Sequence, residues 1–160
     1  MRLIRAFLPL LLLAACAAGA TEGAPAPAPT AADRHAESGL RVIPLTVISP
    51  SGRHGFRVEV AASPAEQARG LMFRTALGPG EGMIFPMAPP RDAVFWMKNT
   101  VIPLDILFIG VDGRISNIAA MTEPYSLDPR ASAGMVKAVL ELAGGRAAEL
   151  GIAPGDRVEW

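Results

Sequence analysis

The sequence predicts a mainly β domain of the α+β class, a small barrel or a curled antiparallel or mixed sheet with two short helices. Three observations lead there. Short runs rich in Val, Ile, Phe and Thr recur between Gly and Pro turn signals. Residues 54–61 alternate apolar Phe56, Val58 and Val60 with polar Arg57 and Glu59, the period of a half-buried strand. Residues 94–113 form two strand-forming runs, broken at Lys98-Asn99-Thr100 and at Pro103, and closed by a turn at Val111-Asp112-Gly113. Curling such strands into a barrel removes exposed edges.

Each element follows from local chemistry. Residues 41–49 read as a strand whose first part Pro44 confines to an edge or a bulge. Pro50-Ser51-Gly52 turns it into the alternating strand at 54–61, giving a hairpin. Ser63-Pro64-Ala65-Glu66 starts a helix: Ser63 caps, Pro64 fits the first turn, and Glu66 completes a capping box. The helix runs to Arg69, and Gly70 ends it. Leu71, Met72 and Phe73 are expected as core anchors, with Arg74 next. A short buried strand carries Met83, Ile84 and Phe85, between a Gly/Pro loop at 77–82 and a Pro-rich loop at 87–92.

After the central stretch, residues 114–121 return as a strand, and 122–134 form a long polar loop of the kind that is often functional. Residues 135–142 form a strand and 144–150 a short helix, with Gly151 placed to end it. A turn at 153–156 leads to a last strand at 157–160. No internal repeat is present.

The chain divides into a leader at 1–15, an Ala/Pro-rich tether at 16–39 and one folded domain at 40–160. Arg2 and Arg5 precede an apolar run from Ala6 to Leu13, then small residues and Cys16, the layout of a secretory signal. Leu13-Ala14-Ala15-Cys16 resembles a bacterial lipoprotein box, which implies acylation of Cys16 and membrane attachment through it. The alternative is an ordinary signal peptide cut after a small residue. Ala17, where Asp favours the inner membrane in such lipoproteins, points to the outer membrane facing the periplasm. Pro25, Pro27 and Pro29 make the following segment a semi-rigid spacer, expected to be disordered, with His35 solvated inside it.

Cys16 is the only cysteine, so no disulfide framework is expected. Formal charge is zero, and without Arg2 and Arg5 the 13 remaining bases face 15 acids. No run of Lys or Arg supplies the basic stripe of a nucleic-acid binder, so that partner is excluded. Half the chain, 51%, is hydrophobic, enough for a core.

Five blocks resemble one family. They are Gly70-Leu71-Met72-Phe73-Arg74, Gly82-Met83-Ile84-Phe85, Phe95-Trp96-Met97-Lys98-Asn99-Thr100, Pro103-Leu104-Asp105-Ile106-Leu107-Phe108 and Val139-Leu140-Glu141-Leu142-Ala143-Gly144. Together with Gly151-Ile152 and Gly155-Asp156-Arg157-Val158 they are similar to the domain-of-unknown-function 192 family. The resemblance covers residues 58–160. It implies a small barrel-like β domain, often exported or membrane-attached, with no established activity and no catalytic residues to carry over.

Four ionisable residues interrupt apolar runs: Arg74, Lys98, Asp105 and Glu141. Burial requires pairing, so an opposite-sign pair is expected among them, foremost Lys98 with Asp105. Such a cluster either lines a pocket for a small polar ligand or fixes strand register. Trp96 and Asn99 flank Lys98; the Trp is expected in the core, with a flat ligand as the alternative.

Six methionines in the mature chain permit a Cu(I) site in principle, but their spacing is irregular and Met also fills cores. No metal or other cofactor is expected, because there is no His cluster, no Cys pair and no nucleophile elbow. The functional expectation is a binding module of the cell envelope, with a small ligand or an envelope protein as partner. The alternative is an envelope hydrolase using Asp105 and Glu141 or Glu123 with Lys98 or Arg74, in a cluster around Asp105 and Lys98.

Overall fold

A computed structural model of the protein describes residues 33–160. The leader, Cys16 and the tether up to residue 32 lie outside the described residues.

Among the described residues, nine strands and two short helices follow one another as β1 (Val42–Ser49), β2 (Gly52–Val60), α1 (Pro64–Arg69), β3 (Glu81–Arg91), β4 (Val94–Phe95), β5 (Leu104–Gly110), β6 (Ile115–Thr122), β7 (Arg130–Ala131), β8 (Val136–Ala143), α2 (Arg146–Glu149) and β9 (Arg157–Glu159). Seven strands form one sheet in the order β6-β5-β8-β3-β2-β1-β9. Only β2 and β3 run parallel, and α1 is the crossover that such a pair needs. The sheet curls until its outer strands approach: Arg114 bridges Arg157, and Ile115 N–H donates to the Asp156 carbonyl at 2.9 Å. The expected mainly β, curled architecture is the observed one.

The local signals worked as read. Ser63 and Glu66 form the reciprocal capping box of α1, and Gly70 closes it with a φ of 47°. Pro44 sits where β1 lacks its second neighbour, because β9 pairs only with Thr46, Val47 and Ile48. The Pro-rich stretch expected as a loop instead extends β3 to Arg91. Pairing of β3 with β8 skips from Pro86 to Arg91, so Pro89 and Pro90 cost the ladder no hydrogen bond.

The sheet buries both faces. Leu45, Phe56, Val58, Ile84, Leu107 and Leu140 fill the concave interior. Met83, Phe85, Met87, Ile106, Phe108 and Val139 make a second core on the convex face, closed by Leu71, Ala93 and Met97 from the connections. Gly82 permits the tight approach of β3 to β8, since a Cβ there would stand 2.6 Å from the Glu141 carbonyl oxygen.

Residues expected in the tether belong partly to the fold. Arg34 bridges Arg41, and His35 N–H donates to the Leu40 carbonyl at 2.8 Å. No helix among the described residues is long and apolar enough to cross a membrane.

Candidate functional site

The convex face carries two acids in one cross-strand row. Glu59 of β2 pairs with Met83 of β3, Met83 with Glu141 of β8, and Glu141 with Ile106 of β5. Strand spacing sets the two acids about 10 Å apart. Both are almost fully buried, Glu59 at 3% and Glu141 at 5% exposure.

Glu59 is neutralised. Arg74 Nη2 lies 3.0 Å from Glu59 Oε1 and donates to Oε2 at 3.1 Å. The Ser38 hydroxyl donates to the same carboxylate. Arg74 Nε also faces Glu37 at 3.4 Å, and its Nη1 stands 3.1 Å from the His35 ring. His35 is therefore packed against the ion pair rather than solvated. Alternation in β2 had put Glu59 among outward polar positions; both faces are covered here, so outward is also buried.

Glu141 has no such relief. Its carboxyl makes no hydrogen bond or ion pair with any described residue, and Met83 and Ile106 flank it. No fully enclosed side-chain nitrogen or oxygen lacks a partner among the described residues, so the Glu141 oxygens keep an opening. That opening is a cavity of about 300 Å³. Gly70, Leu71, Met72, Phe85, Phe95 and Trp96 line it. Phe95 meets Phe85 edge to face at 5.0 Å between ring centroids. Arg69, Arg91, Asp92 and Lys98 supply its charged lining. Burial pushes the Glu141 carboxyl up to about 8. A larger hollow of about 470 Å³ lies beside Glu59 under the 34–36 segment, but its buried acid is already paired.

The 94–100 segment builds the cavity mouth by alternation. Phe95 and Met97 point inward, so Trp96 and Lys98 point out. Met97 is anchored: its N–H donates to the Ser126 carbonyl at 2.9 Å, and its sulfur accepts the Thr122 hydroxyl at 3.0 Å. Asn99 then turns the chain with φ 57°, and its carbonyl accepts Phe73 N–H at 2.8 Å. This linkage holds the Trp96–Lys98 segment against the 70–74 segment.

Several expectations are corrected. Lys98 and Asp105 do not pair. Lys98 is exposed, with its ammonium 6.0 Å from the Trp96 ring centroid. Asp105 lies in β5 on the concave side, fully buried, and accepts backbone N–H groups from Met121 at 2.8 Å, Gly145 at 3.0 Å and Ala147 at 2.8 Å. No ion pair forms among Arg74, Lys98, Asp105 and Glu141; Arg74 takes Glu59, which the sequence reading passed over. Trp96, expected in the core, is 56% exposed, and Phe73, expected as an anchor, is 59% exposed with φ 64°. Of the six candidates, Trp96, Lys98 and Glu141 share the cavity. Asn99 supports it from behind, and Arg74 and Asp105 stand elsewhere. Arg91 and Phe95 also line it; the sequence marked neither as a site residue. The hydrolase arrangement around Asp105 and Lys98 is thus not assembled. The methionines lie dispersed, Met83 and Met97 buried and Met121 and Met135 exposed.

A family model described as "Uncharacterized ACR", DUF192, matches residues 46–160. The chain belongs to this family. The chain is also similar to solved structures. A crystal structure of a protein of unknown function from Novosphingobium aromaticivorans DSM 12444 is 56% identical, with a TM-score of 0.79. The match covers 84% of this chain and all of that one. A Sinorhizobium meliloti 1021 protein called "a putative transcription regulator" is 40% identical, with a TM-score of 0.73 over 75% of this chain and 94% of its own. No match was found among curated proteins. The fold is shared with these solved structures.

Proposed function

We propose that this DUF192 domain binds a small ligand in the Glu141 cavity while held at the cell envelope by acylated Cys16. One observation carries the binding reading: a carboxyl buried in an apolar row, without a protein partner, faces a cavity walled by aromatic rings. Ligand sites are concave and largely apolar, with a few placed polar groups, and perturbed ionisable groups concentrate at them. Glu59 and Asp105 support the reading by contrast, since each is fully satisfied by the fold.

The anchoring reading is supported by the layout of residues 1–16 and by the Ala/Pro-rich stretch that precedes the domain. The regulator name of the Sinorhizobium protein does not redirect it, because zero formal charge and the lack of a basic run give no footprint for nucleic acid.

Thermal-shift screening of a fragment library against the mature protein tests the binding reading. Fragments that raise the melting temperature of wild type are expected to lose that effect in Glu141→Gln and in Trp96→Ala. Fragments that protect all three proteins equally would move the site elsewhere. For the anchor, Cys16→Ser protein is expected to leave the membrane fraction; persistence there would remove it.

A further inference from the structure

We propose that the ligand of this cavity is a small zwitterion of the ω-amino acid class, its ammonium at Glu141 and its anionic end at Arg91 and Lys98. This rests on the binding reading above and supplies its ligand class. Four acids are buried: Glu59, Asp105, Glu141 and Asp156. Glu59 has Arg74 and Ser38, Asp105 has three backbone N–H donors, and Asp156 accepts the Ala153 N–H at 2.8 Å. Among the described residues, only Glu141 of these four is left for a partner from outside. A buried carboxylate is stable when paired with a cation and hydrogen-bonded. An ammonium group meets both needs.

The walls suit the same group. Phe85, Phe95 and Trp96 line the cavity, and aromatic rings attract ammonium and pack against methylenes. The remaining charges of the lining are Arg69, Arg91 and Lys98 against Asp92, a positive excess. Among the described residues, Arg91 is held only by a 3.5 Å contact with Gln67 Oε1, and Lys98 only by the Trp96 ring. Both cations are therefore free to take an anion. A cavity of about 300 Å³ stands at the small end of ligand pockets, which favours a short chain with a charge at each end.

The proton balance is explicit. Burial between Met83 and Ile106 keeps the Glu141 carboxyl protonated near neutral pH. When an ammonium docks, the carboxyl ionises and its proton passes to solvent. Amine binding at pH 7 therefore releases protons, while binding of a plain carboxylic acid does not.

Isothermal titration of the mature full chain decides it, with 5-aminovalerate, pentylamine and valerate as matched probes, in two buffers of different ionisation enthalpy. The expected order is 5-aminovalerate tightest, then pentylamine, then valerate, with proton release for the two amines. Glu141→Gln is expected to weaken 5-aminovalerate by on the order of tenfold to a hundredfold and to abolish the release. An Arg91→Ala, Lys98→Ala double variant is expected to erase the advantage of 5-aminovalerate over pentylamine. Valerate binding as tightly as the zwitterion, amine binding without proton release, or no binding of 5-aminovalerate would each overturn the ligand class. The cavity reading survives those results if the broader fragment screen still gives Glu141-dependent hits, and falls if that screen gives none.

Discussion

Glu59 and Glu141 occupy the same row of the same face, two strands apart, with Met83 between them. Their burial is nearly equal. One is held by Arg74, Ser38 and the nearby His35; the other meets only apolar neighbours and a cavity. The fold therefore knows how to satisfy a buried acid at this depth, and at Glu141 it does not do so. The segment that closes over Glu59 brings a guanidinium. The segment that closes over Glu141 brings rings and leaves an opening. A satisfied buried acid fixes structure, whereas an unsatisfied one is held protonated by burial, lowers stability as pH rises and is available for binding.

Variants can break this contrast or sharpen it. The largest effect is expected at Asp105. Asp105→Ala strips three backbone N–H groups, one buried and two partly buried, of their acceptor and should cost about 3–6 kcal/mol, read by urea denaturation. A small cost would mean that water or neighbouring carbonyls replace the carboxylate. Next, Arg74→Ala leaves Glu59 buried without its cation and should cost about 3–5 kcal/mol in the same assay. If that variant were as stable as wild type, Glu59 and Glu141 would be alike after all.

Glu141→Gln should move in the opposite direction. The unfolded carboxyl ionises near its ordinary value of 4.5, while the folded one holds its proton to about 8. Between these limits the folded state binds more protons, so wild-type stability falls as pH rises and levels off above the folded value. The variant lacks this loss. Its advantage should be near zero at pH 4 and about 3 kcal/mol at pH 7, seen as a melting temperature that no longer drops across that range. A pH-independent difference between the two proteins would show that Glu141 is ionised in the fold. The smallest effect belongs to Lys98→Ala, expected within about 0.5 kcal/mol of wild type, because an exposed Lys over a ring contributes little. Its consequence should appear in ligand binding alone.

Much of the fold was legible because its signals are local. The capping box of Ser63 and Glu66, the turn at 50–52, the strand period of β2 and the Gly-ended helices need no distant partner to be recognised. Half of the site was legible too: Trp96, Lys98 and Glu141 stood out as polar or aromatic breaks in apolar runs. Their grouping was misread. Lys98 and Asp105 are seven positions apart in the sequence, yet Pro103 and the turn at Asn99 separate them, and Asp105 faces the concave side. Strand alternation assigns a face but not what covers it. Hence Glu59 looked solvent-facing and Trp96 looked buried, and both were reversed by the segments laid over the sheet.

The sequence by itself determined most of the strands, the start of α1, the family and which side chains are chemically unusual, since each of these is written in composition or in spacing of a few residues. The tertiary structure alone decided which acid receives Arg74 and which is left facing a cavity. That choice depends on how connections cross the convex face, and pairing across strands 24 to 60 residues apart, as in β2 with β3 and β3 with β8, leaves no local trace.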